Sequence, residues 1–393
     1  MKKHLLFLFM AQGNATPGST SDWKPDHLCA EHYHTAFHRE GYFVMLEKLL
    51  EKGCFDELTI IFESNRGHGV ANWVDHPNAR CLVIPEIKYA EQFITDETII
   101  FVRGGFKHWH DWLLKYKGKN WLMLYSANTG RQKWLWWDII LDDILMQHTV
   151  DKHGRYMFPF IKPIDDEFYL PDKSAKQVFD VCIGASHVHD KKGQWRVWEV
   201  LKAYVKLFDE SITAVLPGSP RRGAKTVEML DQIYRKCPEK IVISHIGHVH
   251  KEELVKVYQR SKVAMFLGSH GQNDRGPLEA SSCGCLVGIG SPAYHTCLLK
   301  HPCLSFTPID IDDYDLIAML LKKLLDGCEK GRMERAECFR NKLGFFKSWF
   351  TMMCLLDMLW TNKPTVNNKA RLMKHMKHVL GYESRRKVTF ETT

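Results

Sequence analysis

Apolar segments as long as buried β-strands alternate with helical segments along most of the chain, and this alternation restricts the fold more than any other sequence feature. Before residue 160 it predicts a helix over residues 28–52, which Gly53 ends. The strands predicted in this half are 5–10, 58–63, 81–85, 98–102, 121–125 and 138–141. Apolar strands separated by helices are typical of a parallel sheet covered on both faces, and therefore of an α/β domain.

A proline-containing polar segment at residues 160–177, FIKPIDDEFYLPDKSAKQ, interrupts the alternation and predicts a linker. The strands then predicted are 178–183, 212–216, 240–244, 263–267 and 286–289. The helices are 195–207, 226–236, 251–260, 278–283, 316–325 and a long region over 336–360. We expect two doubly wound Rossmann-like domains, 1–172 and 173–335, facing a cleft, and a helical region with a basic tail at 336–393. A cleft between two such sheet edges suits a reaction with two substrates.

The composition fits this architecture and limits the partners. The chain has 393 residues, of which 45% are hydrophobic and 25% charged, and its net charge is +8 with 21 histidines besides. This charge favours anionic partners such as nucleotides, and no nucleic-acid-binding signature accompanies it. The twelve cysteines include no C-x-x-C pair, which indicates reduced thiols in a cytoplasmic protein rather than a zinc ribbon or disulfides. Residues 5–10 are too few for the apolar core of a signal peptide, and no apolar segment reaches the length of a membrane-spanning helix.

The segment GQNDRGPLEA, residues 271–280, predicts an anion site at the start of a helix. Pro277 suits the first helical turn, where its missing N–H costs nothing. The glycine-bearing loop before it leaves backbone N–H groups unpaired, and the helix dipole adds partial positive charge, so a diphosphate is the expected ligand. Glu279 is either a surface acid in the first helical turn, which the helix dipole would favour, or a residue that contacts the ligand.

Three motifs in the second half resemble those of retaining glycosyltransferases of family 4, which have the GT-B fold. FIKPIDDEFYLP resembles the interdomain signature N-G-V-D-x-x-x-F-x-P, with Asp165 and Pro171 in the matching places. IGASHVHDKKGQWRVWEVLKA, residues 183–203, resembles the G-R-x(n)-K-G segment, with Lys192 and Gly193 matching. HIGHVHKEELVKVYQRSKVAMFLGS, followed by GPLEASSCGCLVG, resembles the donor-binding core, with its G-x-V-x-x-x-E-L-x-x-x-Y and L-E-A-x-x-x-G patterns. The motifs follow the family's order and spacing over residues 160–330.

The resemblance implies a glycosyltransferase that moves a sugar from a UDP- or GDP-sugar to a hydroxyl of a glycan or lipid-linked acceptor, with retention of configuration. It implies that Glu279 binds the ribose hydroxyls, that Lys192 neutralises the leaving diphosphate, and that no metal takes part. The donor-binding residues that it implies are Gly247, His248, Val249, Gln272, Asn273, Arg275, Gly276, Pro277, Leu278 and Glu279. The pair Cys283 and Cys285 is assigned to helix–strand packing rather than to a metal.

Two departures from the family pattern leave alternatives open. The first acid of the family's E-x(7)-E motif falls on Gly271, or on Gln272 if one residue is deleted. The arginine that precedes the lysine is also missing; the candidates to replace it are Arg221, Arg222, Arg275, His187 and His189. The alternatives are a catalytically impaired GT-B protein that binds nucleotide or glycan, and another GT-B enzyme, such as an inverting transferase or a sugar-nucleotide epimerase.

Residues after predicted strands of the first half are candidates for acceptor contacts. His108 and His110 follow strand 98–102 and could contact hydroxyl groups, or supply the base that an inverting enzyme needs. Gly13, Gly104 and Gly105 would let the backbone approach a ligand closely.

The aromatic-rich stretch 345–360, FFKSWFTMMCLLDMLW, has two interpretations. It could be an amphipathic helix at a membrane surface, or the helix that in GT-B proteins returns to brace the first domain, which we favour. We therefore expect a cytoplasmic protein whose partners are a nucleotide-sugar donor and a glycan or glycolipid acceptor, with at most a peripheral membrane contact.

Overall fold

The chain forms two compact units. The structure is a computed structural model that describes residues 2–9, 39–64, 68–104, 107–125, 134, 136–142, 149–150, 153, 155–184, 187–188, 190–220, 223–268, 275–290, 310–327, 331–342, 345–365, 368, 370–372 and 374. The first unit contains Met1–Pro163 and Lys347–Thr393, and the second contains Ile164–Phe346. The domain boundaries predicted from the sequence lie after residues 172 and 335, whereas the chain passes from one unit to the other after Pro163 and after Phe346.

The first unit is built on a nine-stranded sheet in the order β3-β4-β2-β1-β5-β6-β7-β9-β8. Its strands are β1 (His4–Phe9), β2 (Glu57–Glu63), β3 (Gly69–Val70), β4 (Ala79–Ile84), β5 (Thr98–Arg103), β6 (Leu122–Tyr125), β7 (Ile139–Asp142), β8 (Thr149–Val150) and β9 (Tyr156–Pro159). Neighbouring strands are parallel except for the two edge pairs, β3 with β4 and β8 with β9. β1, HLLFLF, is buried along its whole length and lies between β2 and β5. The predicted parallel α/β sheet is therefore confirmed.

The helices of the first unit are α1 (Gly41–Glu51), α2 (Trp109–Leu114) and α9 (Phe345–Trp360, which begins at the end of the second unit), with a 3-10 helix at Ile87–Phe93. The prediction of one helix over 28–52 is wrong at its described start, because Arg39 and Glu40 are not helical and the helix begins at Gly41. Arg39 has a φ of 51°, a left-handed conformation that a continuous helix does not allow.

The C-terminal helix packs within the first unit. The indole N–H of Trp121 donates to the carbonyls of Leu359 and Asn362, at 3.1 and 2.7 Å, and that of Trp360 donates to the carbonyl of Cys54 at 2.8 Å. Leu355 in the middle of α9 is fully buried. The apolar side chains of this helix therefore cover the protein's own core.

The second unit has a five-stranded parallel sheet in the order β14-β12-β10-β15-β16. Its strands are β10 (Phe179–Ile183), β12 (Ile212–Pro217), β14 (Ile241–Gly247), β15 (Ser261–Phe266) and β16 (Leu286–Ile289), with a short separate pair of β11 (His187–Val188) and β13 (Ser219–Pro220). Its helices are α3 (Gln194–Phe208), α4 (Ala224–Arg235), α5 (Lys251–Gln259), α6 (Gly276–Ser282), α7 (Tyr314–Gly327) and α8 (Arg332–Lys342), with a 3-10 turn at Asp190–Lys192. The predicted strands of this half are confirmed. Within the long helical region predicted over 336–360, the structure describes α8 and α9.

Candidate functional site

The carboxyl edge of the second sheet carries the residues that the sequence assigns to the donor. In the order β14-β12-β10-β15-β16, the chain passes from β10 to β12 on one side and from β15 to β16 on the other. A topological switch point therefore lies between β10 and β15. Lys192 follows β10, and α6 with Glu279 follows β15. Ligands of open α/β sheets bind outside the carboxyl ends of the strands at such a point.

The segments that follow β10 and β15 are in backbone contact. Gly193 has a φ of 73°, and a Cβ there would overlap the carbonyl group of Leu267 and lie 2.7 Å from the nitrogen of Gly268. A Cβ on Gly268 would lie 3.1 Å from the carbonyl oxygen of Lys191. Any side chain at position 193 would therefore require a left-handed residue and a separation of the two segments. This contact holds the backbone of Lys192 beside the first residues after β15.

Asp190 fixes the turn that carries Lys192. Its Oδ1 accepts hydrogen bonds from the backbone N–H and the hydroxyl of Thr226, both at 2.8 Å, in the first turn of α4. A Cβ on Gly223 would lie 2.6 Å from the carboxylate carbon of Asp190, so a side chain here would displace this carboxylate. The carbonyl of Asp190 accepts the indole N–H of Trp195 at 3.1 Å. Hydrogen bonds thus join this turn to both α3 and α4.

Lys192 and the start of α3 bring positive charge to the switch point. The half-buried Lys192 ends the 3-10 turn, and the 15-residue helix α3 begins two residues later. The N-terminus of a helix carries partial positive charge from its unpaired N–H groups, so the ammonium and the helix favour the same anionic ligand. Gln194, 1% exposed, donates to the carbonyl of Gly184 at 3.4 Å and so joins α3 to the end of β10.

Glu279 is a nearly buried carboxylate in α6, with 8% of its surface exposed. Burial, and after it the negative charge of Glu279, raise the pKa of Tyr169, whose hydroxyl hydrogen-bonds to this carboxylate. The same two causes raise the pKa of the buried Tyr258 well above its ordinary value. Both phenols therefore stay protonated, and Tyr169 acts as a donor to Glu279. Arg275 adds a positive charge beside Tyr169.

The segment that resembles the interdomain signature supplies Tyr169. Asp165, 1% exposed, accepts the N–H of Phe168 through Oδ1 at 3.1 Å, and its carbonyl accepts the N–H of Tyr169 at 3.0 Å. The carbonyl of Tyr169 in turn accepts the hydroxyl of Ser282, at the end of α6, at 2.6 Å. The tight turn at Asp165 therefore brings a phenol to the helix that carries Glu279.

The short helix α6 packs closely on the ring of Phe266, the last residue of β15. A Cβ on Gly276 would lie 2.5 Å from Cε1 of this ring, and one on Gly184 would overlap the same ring. Pro277 lies in the first turn, as the sequence predicts, and is buried together with Leu278. The side chains of Pro277 and Leu278 therefore belong to the core, and only their backbone is suited to meet a ligand.

Gly247, His248 and Val249 lie at the carboxyl end of the edge strand β14. Gly247 has a φ of 67° with open space around its Cα, and its carbonyl accepts the N–H of Gly218 at 2.5 Å. His248 is exposed, and its ring meets that of His250 edge-on with centroids 5.6 Å apart. This loop shares the carboxyl edge with Lys192, with the end of β12 between them.

Several residues named from the sequence lie outside the described part of the chain. They are Gly13, Gly105, Arg221, Arg222, His189, Gly271, Gln272 and Asn273; for His187 only the backbone, in β11, is described.

The carboxyl edge of the first sheet has a separate polar cluster centred on Glu63, the last residue of β2. Glu63 is 8% exposed, and its Oε1 accepts the N–H of Ile87 at 2.8 Å. Its Oε2 accepts Nε2–H of His108 at 2.8 Å and the indole N–H of Trp109 at 2.6 Å. The His108 side chain is 40% exposed.

His110 has different surroundings from His108. Its Nε2 accepts the indole N–H of Trp136 at 3.0 Å, and its Nδ1 donates to Asp111 at 2.8 Å. Both ring nitrogens are therefore engaged, and the ring packs edge-on against Trp134. Gly104, at the end of β5, has a φ of 85°, a conformation that favours glycine.

The buried thiols have no features of a metal site. Burial raises the pKa of Cys283 well above its usual value, and that of Cys285 to about 12, so both stay protonated. The described residues include no cluster of three or more His, Cys, Asp or Glu side chains with the geometry to hold a metal ion. Among the described helices, none is long and apolar enough to cross a membrane.

Solved structures that share this fold include glycosyltransferases. A glycosyltransferase from Rickettsia africae superposes with a TM-score of 0.64 at 12% identity, covering 92% of this chain and 100% of that one. Sucrose-phosphate synthase from Thermosynechococcus elongatus gives 0.61 at 13% identity, over 91% and 99% of the two chains. The E. coli trehalose-6-phosphate synthase bound with UDP-2-fluoro glucose gives 0.56 at 10% identity, over 95% and 99%. The chain has the GT-B fold. The fold predicted from the three motifs is thus confirmed, whereas no family model and no curated protein matches this GT-B protein by sequence.

Three residues of these clusters were not found from the sequence. Glu63 was assigned only to the end of a strand, although an acid at the carboxyl end of a parallel strand is itself a signal. Tyr169 was quoted within a motif, but its position beside Glu279 depends on a fold contact between residues far apart in the chain. Asp190 looked like part of a solvated charged loop, and only its contact with α4 reveals its role.

Proposed function

We propose that this protein is a glycosyltransferase that moves a sugar from a nucleoside-diphosphate sugar, a UDP- or GDP-sugar, to a hydroxyl of a glycan or lipid-linked acceptor. The observation that carries the proposal is the meeting of Lys192, the N-terminus of α3 and the Glu279 helix at one switch point. Charges of this kind suit a nucleoside diphosphate, because the diphosphate needs positive groups and the ribose hydroxyls need an acceptor.

Each group has a role in the proposed reaction. Lys192 and the N–H groups at the start of α3 stabilise the negative charge that builds on the leaving diphosphate. Glu279 accepts hydrogen bonds from the ribose hydroxyls, because a carboxylate has about four acceptor sites and can take several donors at once. The backbone of Gly247, His248 and Val249 contacts the nucleobase. We infer retention of configuration from the motif resemblance alone.

The experiment that tests the donor site measures binding of UDP, GDP and ADP, and of their hexose conjugates, by calorimetry with and without chelator. We expect one nucleotide to bind, whether or not chelator is present. Glu279→Ala should weaken its binding about 10- to 100-fold, because a hydrogen bond to a charged group contributes about 1.5–3 kcal/mol. Donor affinity in Glu279→Ala equal to that of the wild type would refute the assignment of this residue.

A second set of variants tests the lysine. Lys192→Ala should slow transfer about 10²- to 10³-fold, the loss typical for one group that stabilises developing negative charge. Lys191→Ala, a change of the exposed neighbouring lysine, is the matched control and should keep most of the activity. Equal losses in both variants would indicate a general effect of charge rather than a defined site.

One alternative function rests on a specific observation. Gly271 stands where the family's first acid is expected, so a protein that binds nucleotide or glycan without turnover is the second candidate. Nucleotide binding with the same affinity but no release of nucleoside diphosphate from any donor would favour it.

A further inference from the structure

Strand β14 forms one edge of the second sheet, and no described strand pairs with its outer side. Proteins usually protect such an edge with charged side chains, prolines or a covering helix or loop, because its N–H and C=O groups can bind another strand. The seven residues of β14, IVISHIG, include neither a charged side chain nor a proline. This edge is therefore suited to pair with a further strand.

The ladder with β12 shows which backbone groups of β14 face outward. The N–H of Ile212 donates to the carbonyl of Lys240, and the parallel register pairs Ile212 with Ile241. Even-numbered residues from 240 to 244 therefore direct their backbone groups towards β12. Ile241, Ile243 and His245 direct theirs away from the sheet, before the register shift that follows His245.

Two of these three residues keep their outward groups for another strand. Ile241 is already bonded, since its N–H donates to the carbonyl of Pro238 at 2.9 Å and its carbonyl accepts the thiol of Cys237 at 3.3 Å. Among the described residues, none bonds to the outward backbone groups of Ile243 or His245. A further strand would therefore bond to Ile243 and His245.

Apolar side chains lie exposed along the same edge. Val242 is 58% exposed and Ile246 is 40% exposed, whereas Ile243 between them packs against the core of the second unit. Tyr234 of α4 is 66% exposed, and its hydroxyl hydrogen-bonds to Nδ1 of His245. The exposed apolar surface therefore continues from the edge strand onto the adjacent helix.

We propose that β14 pairs antiparallel with β14 of a second copy of this chain, about a two-fold axis at Ser244. In this register Ile243 lies opposite His245 of the second copy, so the outward N–H and C=O groups of both residues are satisfied in both copies. Val242 lies opposite Ile246 of the second copy, in a non-hydrogen-bonded pair, where side chains are closest. One register thus matches the backbone groups and the exposed apolar side chains together. The pairing is independent of the proposed function.

The charges near this edge fit a second copy. The chain has a net charge of +8, so two copies repel each other in general, but the uncharged strand β14 opposes no like charges. On α4, Asp231 and Arg235 form an ion pair at 3.0 Å on either side of Tyr234. The two-fold axis sets the two α4 helices antiparallel, so the acid of one copy approaches the base of the other. The pairing also uses this edge in both copies, and assembly stops at a dimer.

The test measures the mass of the full chain by sedimentation velocity at about 1–100 µM, where we expect the wild type to dimerise. Val242→Lys/Ile246→Lys places lysines opposite each other in both symmetric pairs. It should raise the dissociation constant of the dimer about 10- to 100-fold. Val242→Lys/Ile246→Glu places each lysine opposite a glutamate and should restore most of the affinity. Met319→Lys changes another exposed apolar residue, in α7, and is the matched control that should dimerise like the wild type.

A cysteine on the axis tests the register directly. Ser244 lies opposite its own copy in a non-hydrogen-bonded pair, where the Cα atoms are about 4.5 Å apart, within the range that a disulfide spans. Ser244→Cys should therefore form a disulfide-linked dimer in oxidised glutathione, whereas Val242→Cys, which lies opposite Ile246, should not. The wild type under the same conditions reports any linkage through the native thiols.

The outcomes separate the proposal from its rivals. A wild type that stays monomeric over this range overturns it, and so does a dimer that Val242→Lys/Ile246→Lys leaves unchanged. A lysine–glutamate variant that dimerises no better than the double lysine variant overturns the register. Circular dichroism of each variant checks that a loss of dimer is not a loss of fold. Because nucleotide binding enters none of these measurements, their failure leaves the proposed function intact.

Discussion

Replacing Gly193 with alanine should separate the two segments that form the proposed donor site. At this position φ is 73°, and the new Cβ would overlap the carbonyl group of Leu267. Rotation of a side chain cannot relieve this overlap, because the atoms in contact are backbone atoms. The turn that carries Lys192 must therefore move away from the end of β15.

Gly247→Ala provides the reference for the magnitude. Its φ is 67°, close to that of Gly193, but nothing lies within 4 Å of the new Cβ. The left-handed conformation costs an alanine about 1–2 kcal/mol in both variants. The overlap at Gly193 adds the cost of overpacking, about 1–3 kcal/mol. Gly193→Ala should thus lose about 1–3 kcal/mol more free energy of unfolding than Gly247→Ala.

Urea unfolding of both variants, followed by tryptophan fluorescence, measures this difference. Because the turn moves, Gly193→Ala should also slow the proposed sugar transfer in the manner of Lys192→Ala. Equal free energies of unfolding for the two variants would refute the reasoning, since they would mean that the segments after β10 and β15 do not touch.

Three other changes have defined outcomes. Asp190→Ala removes the acceptor of two hydrogen bonds from Thr226 and should lower the free energy of unfolding in urea by about 1–2 kcal/mol. Asp190→Asn keeps an acceptor oxygen and should lose less. Burial lowers the pKa of His4, so the neutral ring should contribute its full stabilisation above about pH 6.5. The free energy of unfolding should fall as the pH drops from there toward the pKa of the folded state, by at most about 1.4 kcal/mol per pH unit. His4→Gln should remove this slope. Trp121→Phe removes the indole N–H that donates to the carbonyls of Leu359 and Asn362, of which that of Leu359 keeps the N–H of Asn362. The loss should cost about 1–3 kcal/mol and speed amide exchange in α9, and unchanged exchange would contradict this role.

The sequence predicted the two sheets because their strands are buried on both faces and are therefore continuously apolar. β1, HLLFLF, and β15, SKVAMF, could be identified in this way without any knowledge of their neighbours. Pro277 likewise predicted the start of α6, because its effect on the backbone is local.

The partners of the site residues depended on tertiary structure. Glu279 was found from its position after Pro277, but Tyr169 reaches it from a turn that lies far away in the sequence. His108 was found from its position after a strand, but the carboxylate of Glu63 that orients it comes from another strand. Strand order decides which loops share an edge, and a single sequence does not contain that order.

The glycines show the same division most clearly. The sequence determined that Gly193 follows a lysine in a recognisable motif, and that the loop before Pro277 is rich in glycine. Only the fold decided that Gly193 faces the backbone after β15, and that Gly184 and Gly276 share the ring of Phe266. Local preferences along the chain specify strands, helices and turns. Whether a position requires glycine depends instead on which atoms a distant segment places where a Cβ would lie.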